Sequence, residues 1–218
     1  PVFTGRLVGT SLIWEQAPLR ITSDVIADGT VVPPSADGAP LKLNLKADLE
    51  KGLLQGLPWL KTAGEVAGTL HVTEDRLDIT TLHGISLATP WQLDGTVSGW
   101  NAPDMDLTLR TTVDLATLAR HLADAAENWH PAGEAQMTIT CRGPVSRWPD
   151  LEMNARVEVR NASCALPMAP RFPHRFEQLH GSLQYEHLIR RLTIDSLAGQ
   201  VQQYPVTLKG SIQFRTPP

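Results

Sequence analysis

The sequence predicts a mainly β protein built as one long curved antiparallel sheet, a repeating β-groove, with two short amphipathic helices inserted. Three observations carry that prediction. Apolar and polar residues alternate over much of the chain, 16 Gly and 17 Pro interrupt 218 residues, and blocks of sequence recur at matched spacings. Gly and Pro together exceed their average usage of roughly 12%, which favours many short elements. The 42% hydrophobic content against 19% charged residues is enough to bury a core and excludes a disordered tail.

Taken in order, residues 1–40 read as the tail of a preceding repeat, with Gly5-Arg6-Leu7-Val8-Gly9 and Leu19-Arg20-Ile21 as its strand fragments. A repeat unit over 41–104 follows. Leu41, Leu43 and Leu45 alternate with Lys42, Asn44 and Lys46, and side chains at successive strand positions point to opposite faces. From Asp48 the leucines fall at 49, 53, 54, 57 and 60, which predicts a helix over about 48–61, capped by Asp48 and shortened by Gly52, Gly56 and Pro58. Gly64-Glu65 then opens a strand.

A second unit over 105–218 repeats the plan. Met105, Leu107 and Leu109 alternate with Asp106, Thr108 and Arg110; Leu115, Leu118, Leu122, Ala126 and Trp129 keep spacings of three and four behind Asp114, predicting a helix over about 114–129. Gly133-Glu134 follows, then the alternating sets Met137, Ile139, Cys141 and Val157, Val159. Gly68-Thr69-Leu70, Arg76 to Gly84 and Leu93 to Val97 match Gly181-Ser182-Leu183, Arg191 to Gly199 and Leu208 to Ile212, with the third glycine eleven positions after the second in both copies. Strands with one apolar side, repeated in series, leave a face that something must cover. The pattern leaves open whether they form one sheet or two packed ones.

Other classes find little support. The formal net charge of −4 is spread without basic blocks, so no phosphate backbone is recognised and no nucleic-acid partner is expected. No apolar run approaches the roughly 18–20 residues of a membrane span. The histidines at 71, 83, 121, 130, 174, 180 and 187 show no metal-ligand spacing, and Cys141 and Cys164 form no Cys-x-x-Cys pair. No metal and no cofactor are expected. Nucleophile elbows and phosphate loops are absent, and Asp104 with Asp106 reads as solvated strand surface rather than as a catalytic pair. Cys141 and Cys164 are compatible with a bridge or with two buried thiols. His83 aligns with Ala198 in the second copy and reads as a surface residue. Asn161-Ala162-Ser163 is a formal glycosylation sequon. Six tryptophans, at 14, 59, 91, 100, 129 and 148, border turns in several cases and suit either sheet-edge packing or a rim where a ring meets an acyl chain.

The runs Phe176 to Leu183, Leu192 to Gly199 and Val206 to Ile212, with the Asp-Leu and Gly-Glu blocks before them, resemble the AsmA-like proteins of Gram-negative bacteria, including the YhdP and TamB branches. The resemblance covers about residues 41–215. It implies a periplasmic β-groove, anchored in the inner membrane by an N-terminal helix outside this sequence, that carries phospholipid towards the outer membrane. It brings no catalytic residues, and the chain is expected not to be an enzyme. Starting at Pro1 and ending on Pro217-Pro218, it is expected to be a piece of a longer protein. The candidate groove liners are Leu41, Leu43, Leu45, Met105, Leu107, Leu109, Met137, Ile139, Val157, Val159, Leu183, Leu192, Ile194, Leu208 and Ile212. The expected partner is a phospholipid or other acyl-chain lipid, with membrane-embedded or periplasmic proteins at the groove ends. The competing expectation is an assembly module in outer-membrane biogenesis that binds a protein through its sheet face.

Overall fold

The computed structural model describes residues 2–16, 19–34, 41–57, 60–86, 88–121, 130–147, 151–166 and 174–214. The first half of the chain runs through β1 (Phe3–Gln16), β2 (Leu19–Val32), β3 (Lys42–Leu57), β4 (Leu60–Thr73), β5 (Arg76–Ser86) and β6 (Thr89–Ser98). After β7 (Asp104–Asp114) comes the one helix among the described residues, α1 (Leu115–His121). The second half continues as β8 (Ala132–Pro144), β9 (Glu152–Leu166), β10 (His174–Glu186), β11 (Arg191–Val201) and β12 (Tyr204–Gln213). All twelve strands lie in one sheet in chain order, antiparallel and not closed, with β1 first and β12 last among the described residues. Each strand therefore hydrogen-bonds to its neighbours in sequence, the simplest way to satisfy backbone groups with short connections.

The chain divides into two compact units. Unit 1 comprises Pro1–Thr108 with Arg142–Trp148, and unit 2 comprises Leu109–Cys141 with Pro149–Pro218.

The helix expected over 48–61 is not formed. Through Leu57 that segment is the second half of β3, Pro58 and Trp59 lie outside the described residues, and Leu60 begins β4. The cause is a β-bulge. Lys51 adopts φ 53°, and the register with β4 shifts between Leu49 and Gly52. A bulge inserts one residue and resets the alternation, so Leu49, Gly52 and Leu54 share one face and Leu53 takes the other. That displaced period of two imitates helical spacing.

The second expected helix starts where predicted but is shorter in the described residues, since 122–129 lie outside them. Asp114 Oδ1 accepts the Thr117 backbone N–H at 2.7 Å, the hydrogen bond expected of a cap.

Two stretches of the sheet share one register pattern. Strands β3–β6 correspond to β9–β12. Leu49 faces Gly68 and Gly52 faces Val66, as Val159 faces Gly181 and Ala162 faces Leu179. The register shifts at Thr69/Leu70 and Ile79/Leu82 recur at Ser182/Leu183 and Ile194/Leu197. Left-handed bulge residues recur as well: Lys51 and Glu65, at φ 53° and 52°, match Asn161 and Gln178, at 48° and 53°. Strand β9 thus matches β3 in register.

Two matched glycines show why the sequence conserves its spacing between copies. A Cβ on Gly68 would lie 1.9 Å from the Thr81 carbonyl oxygen and 2.8 Å from Leu82 Cα; on Gly181 it would lie 1.9 Å from the Ser196 oxygen and 2.8 Å from Leu197 Cα. Both have positive φ, 156° and 152°. Gly64, by contrast, has open space where a Cβ would be. Gly68→Ala and Gly181→Ala are expected each to destabilise their unit by about 2 kcal/mol or more, because neighbouring backbone must move. Gly64→Ala is expected to stay within about 0.5 kcal/mol of the parent. Urea unfolding of the three variants checks this ranking.

Candidate functional site: a one-sided apolar sheet face

Directly opposed residues in an antiparallel pair point to the same side, so register alone assigns the faces. In unit 1, one row across β1 to β6 reads Gly5, Gly29, Leu45, Val72, Leu77 and Val97. The next reads Leu7, Ala27, Ala47, Leu70, Ile79 and Gly95, and a Cβ on Gly95 would meet Leu107 Cα at 2.8 Å, which continues the row onto β7. Between them lies a row from the other face: Arg6, Asp28, Lys46, His71, Asp78 and Thr96. Hydrophobic and charged residues are thus separated by strand alternation alone.

Unit 2 repeats the separation. Ala155, Tyr185, Leu192 and Ile212 form one apolar row, and Val157, Leu183, Ile194 and Gly210 the next. Arg156, Gln184, Thr193 and Ser211 form the polar row between them.

The polar face is held by exposed ion pairs: Arg6–Asp28 at 3.9 Å, Lys46–Asp48 at 3.8 Å, Arg142–Asp106 at 3.0 Å and Arg156–Glu158 at 3.5 Å. Thr69 Oγ1 donates to Asp48 Oδ1 at 2.6 Å, and a His71 ring nitrogen meets Asn44 Oδ1 at 2.8 Å. Solvated pairs of this kind contribute at most about 1 kcal/mol each, so they mark the wet side more than they stabilise it. Asp106 is one half of such a pair. His83 stands exposed opposite Gln92.

Burial on the apolar face grades along the strands. Leu43, Leu45, Leu70, Val72, Leu77 and Val97 are half-buried. Towards the bulges and beyond them the same face closes: Leu49, Leu54, Ala63, Val66, Leu82 and Trp91 are buried, Ala63 completely. Ser23, buried with them, donates its hydroxyl to the Glu50 carbonyl at 3.0 Å. The Trp91 ring covers Gly84, where a Cβ would lie 2.7 Å from Cζ2, and its indole N–H is buried with no hydrogen-bond partner. Unit 2 shows the same grading, from half-buried Val157, Leu183 and Ile194 to Ala162 and Leu179, both buried.

The fifteen residues singled out in the sequence fall as follows. Leu41 precedes β3 and is exposed, and Leu43 and Leu45 lie on the apolar face of unit 1. Leu107 does so too, with Met105 two residues before it on β7; Met105 is buried at 5% exposure, making it core rather than lining. Leu109, Met137 and Ile139 are half-buried on β7 and β8. Val157, Val159, Leu183, Leu192, Ile194, Leu208 and Ile212 share the apolar face of unit 2, with Leu208 and Ile212 of β12 at 42% and 51% exposure. The sequence reading passed over Leu70, Leu77 and Val97, although their counterparts Leu183, Leu192 and Ile212 were picked; the repeat itself was the signal that finds them. Exposed Val8, Leu53 and Ile85 lie on the polar face, so the separation is strong but incomplete.

Both thiols are free. Thr140 Oγ1 lies 3.5 Å from the Asn154 carbonyl, which puts Cys141 of β8 alongside the start of β9, whereas Cys164 sits on β9 opposite Phe176, ten residues beyond Asn154. At roughly 3.3 Å per residue, that separates them by about 30 Å, beyond any disulfide. Half-buried surroundings push both thiols above their ordinary range, so neither has the character of a nucleophile. Among the described residues no group of His, Cys, Asp and Glu is arranged to hold a metal, and no helix is long and apolar enough to cross a membrane. Of the tryptophans, Trp91 is core and Trp100 is exposed, while Trp59, Trp129 and Trp148 lie outside the described residues.

Comparison of the chain with protein-family models, with curated proteins and with solved structures returns no match. The face described above is therefore the basis for any functional reading.

At the turn into α1, the Thr117 hydroxyl and backbone N–H hold the Asp114 carboxyl below its ordinary value of 3.8. A lowered folded-state value means that the cap contributes fully above the unfolded pKa and is lost as pH falls through the folded one. The protection factor of the Thr117 amide is expected to be high at pH 7, to fall in acid, and to be low at every pH in Asp114→Ala. Asp114→Asn, still a good cap, is expected to keep protection without the acid transition, as hydrogen exchange resolved at Thr117 checks.

Proposed function

We propose that this chain is a non-enzymatic segment of an AsmA-like protein whose apolar sheet face shields acyl chains during phospholipid transport between the inner and outer membranes. The observation that carries the reading is the half-buried apolar face of each unit. Leucine, isoleucine and valine rows stay partly open to solvent while charged rows line the other side. A face that served only as core would be covered; one that takes up lipid must remain reachable.

The energetics are adequate. A 16-carbon chain leaving water represents on the order of 12 kcal/mol at about 0.8 kcal/mol per methylene, so a carrier must offer apolar surface at every step of the path. Rows of side chains repeated from strand to strand are suited to this, since each adds another stretch of similar surface. Buried residues beyond the bulges would hold the sheet in shape, leaving the outer part of the face free for cargo. On this reading the protein resides in the periplasm, tethered to the inner membrane by a helix outside the sequence described here.

The purified protein is expected to carry phospholipid in native mass spectrometry and to take up a fluorescent fatty acid. Leu107→Glu and Ile139→Glu should abolish both while leaving the circular dichroism spectrum unchanged, because half-buried positions let a carboxylate reach water. If the same variants unfold, the face is closed core. If they fold and bind lipid as before, the carrier reading fails and a protein partner for the sheet face takes its place.

A further inference from the structure

Strands β4–β5 and β10–β11 form matched hairpins that differ at the turn. Gly68 to Val72 is as long as Gly181 to Tyr185, and Leu77 to Gly84 as long as Leu192 to Gly199. Val72 pairs with Leu77 and Tyr185 with Leu192, so four residues, Thr73–Arg76, turn the first hairpin and six, Glu186–Arg191, turn the second. The first turn is polar throughout, Thr73-Glu74-Asp75-Arg76, as suits chain that faces water. The second is longer by two residues, and its centre is Leu188-Ile189, 56% and 43% exposed. Both strands of this hairpin have their neighbours, β9 and β12, in place, so the exposure does not come from an unpaired edge. The whole hairpin belongs to unit 2.

The turn is held in shape from its base. Arg190, left-handed at φ 48°, donates its backbone N–H to the His187 carbonyl at 3.0 Å. The Arg190 carbonyl accepts the Phe214 N–H at 2.9 Å, and the His187 N–H reaches the Met153 carbonyl at 2.9 Å. Arg191 is clamped to Glu186, its Nε and Nη2 donating to Oε1 at 3.1 and 2.8 Å. The His187 ring stands edge-on to Tyr185 with centroids 6.3 Å apart. Polar groups at the base are thus engaged within the protein while the two aliphatic side chains face solvent. Arg190 is exposed and has no ion-pair partner among the described residues.

We propose that this turn inserts Leu188 and Ile189 into the interfacial region of a bilayer containing anionic lipid, with Arg190 at the headgroup phosphates. Two side chains are far too little surface for a protein partner, since stable contacts bury about 800 Å² a side. In a bilayer interface each aliphatic side chain that leaves water contributes by itself. The hydrogen bonds at the base reduce the number of backbone groups that must give up water on entry. Arg190 beside the apolar pair and Arg191 behind it, against the single Glu186, give the turn a net positive charge that suits phosphate. The matched turn, with Glu74 and Asp75 against Arg76, is net negative and has no apolar residue. Adsorption through the turn is independent of whether the sheet face carries lipid.

Flotation of the full chain with vesicles of phosphatidylethanolamine and phosphatidylglycerol, and with vesicles of phosphatidylcholine alone, tests this. The parent is expected to float with the anionic vesicles and to bind the neutral ones about fivefold less tightly. Leu188→Ser combined with Ile189→Ser, at two exposed positions, should keep the parent's circular dichroism spectrum and its level of fluorescent fatty-acid uptake, and weaken binding to anionic vesicles by about tenfold or more. Arg190→Gln should cost about fivefold on anionic vesicles and nothing on neutral ones. A parent that floats but takes up no fatty acid supports the turn as a membrane contact and contradicts lipid carriage alone. A parent that does not float with anionic vesicles overturns the proposal and leaves the turn to a protein partner. A double serine variant that floats like the parent overturns it too, as does one that loses fatty-acid uptake together with flotation, since the sheet face is then what adsorbs.

Discussion

Register between neighbouring strands is the constraint on which this protein depends. Side chains alternate across a sheet with a period of two, so a slip of one residue anywhere would exchange the apolar and polar faces of a whole strand. With every strand paired to its neighbours in sequence, an error would pass to the strands built on it. The register is nonetheless interrupted repeatedly, and the apolar rows survive because the interruptions are matched: the shift between Leu49 and Gly52 on β3 lies beside that between Gly64 and Ala67 on β4. Val66 consequently remains on the side of Leu49 and Leu54. Bulges at corresponding levels preserve a face while increasing the local twist of the strands that carry them.

Those bulges also separate two roles of one surface. Beyond them Ala63, Val66 and Leu54 in unit 1, and Ala162 and Leu179 in unit 2, are buried and supply the apolar burial that offsets chain entropy. Before them the outer rows, among them Leu45, Val72 and Leu77 or Val157 and Leu183, stay half-open. Ion pairs on the opposite face contribute little to stability, so the anchored rows bear most of the load. A sheet anchored along one part of its apolar face can leave the other part open without unfolding, and on the proposed reading that open part is the stretch that meets lipid.

Alternation and the matched glycines made the sheet, its antiparallel sense and the sidedness of the candidate face legible in the residues. The bulges were not legible. Lys51 and Glu65 carry no mark of a left-handed conformation, and the insertion at Lys51 turned Leu49, Leu53 and Leu54 into an imitation of a helical stripe. Nor did alternation single out β9 as the strand whose register matches that of β3. Burial was the other gap: alternation places Met105 and Leu107 on one face but does not say that Met105 is covered and Leu107 half-open, because that depends on neighbouring strands rather than on β7 alone.

The central claim is that the half-open rows, and not the polar ones, meet acyl chains. Paramagnetic broadening by a phospholipid spin-labelled in its acyl chain measures this residue by residue. The account requires broadening at the methyl groups of Leu43, Leu45, Val72, Val157 and Leu183, weaker effects at buried Val66 and Leu54, and none at Thr30, Thr96 or Thr193 on the polar face. Equal broadening on both faces, or none on the leucine and valine rows, would contradict it.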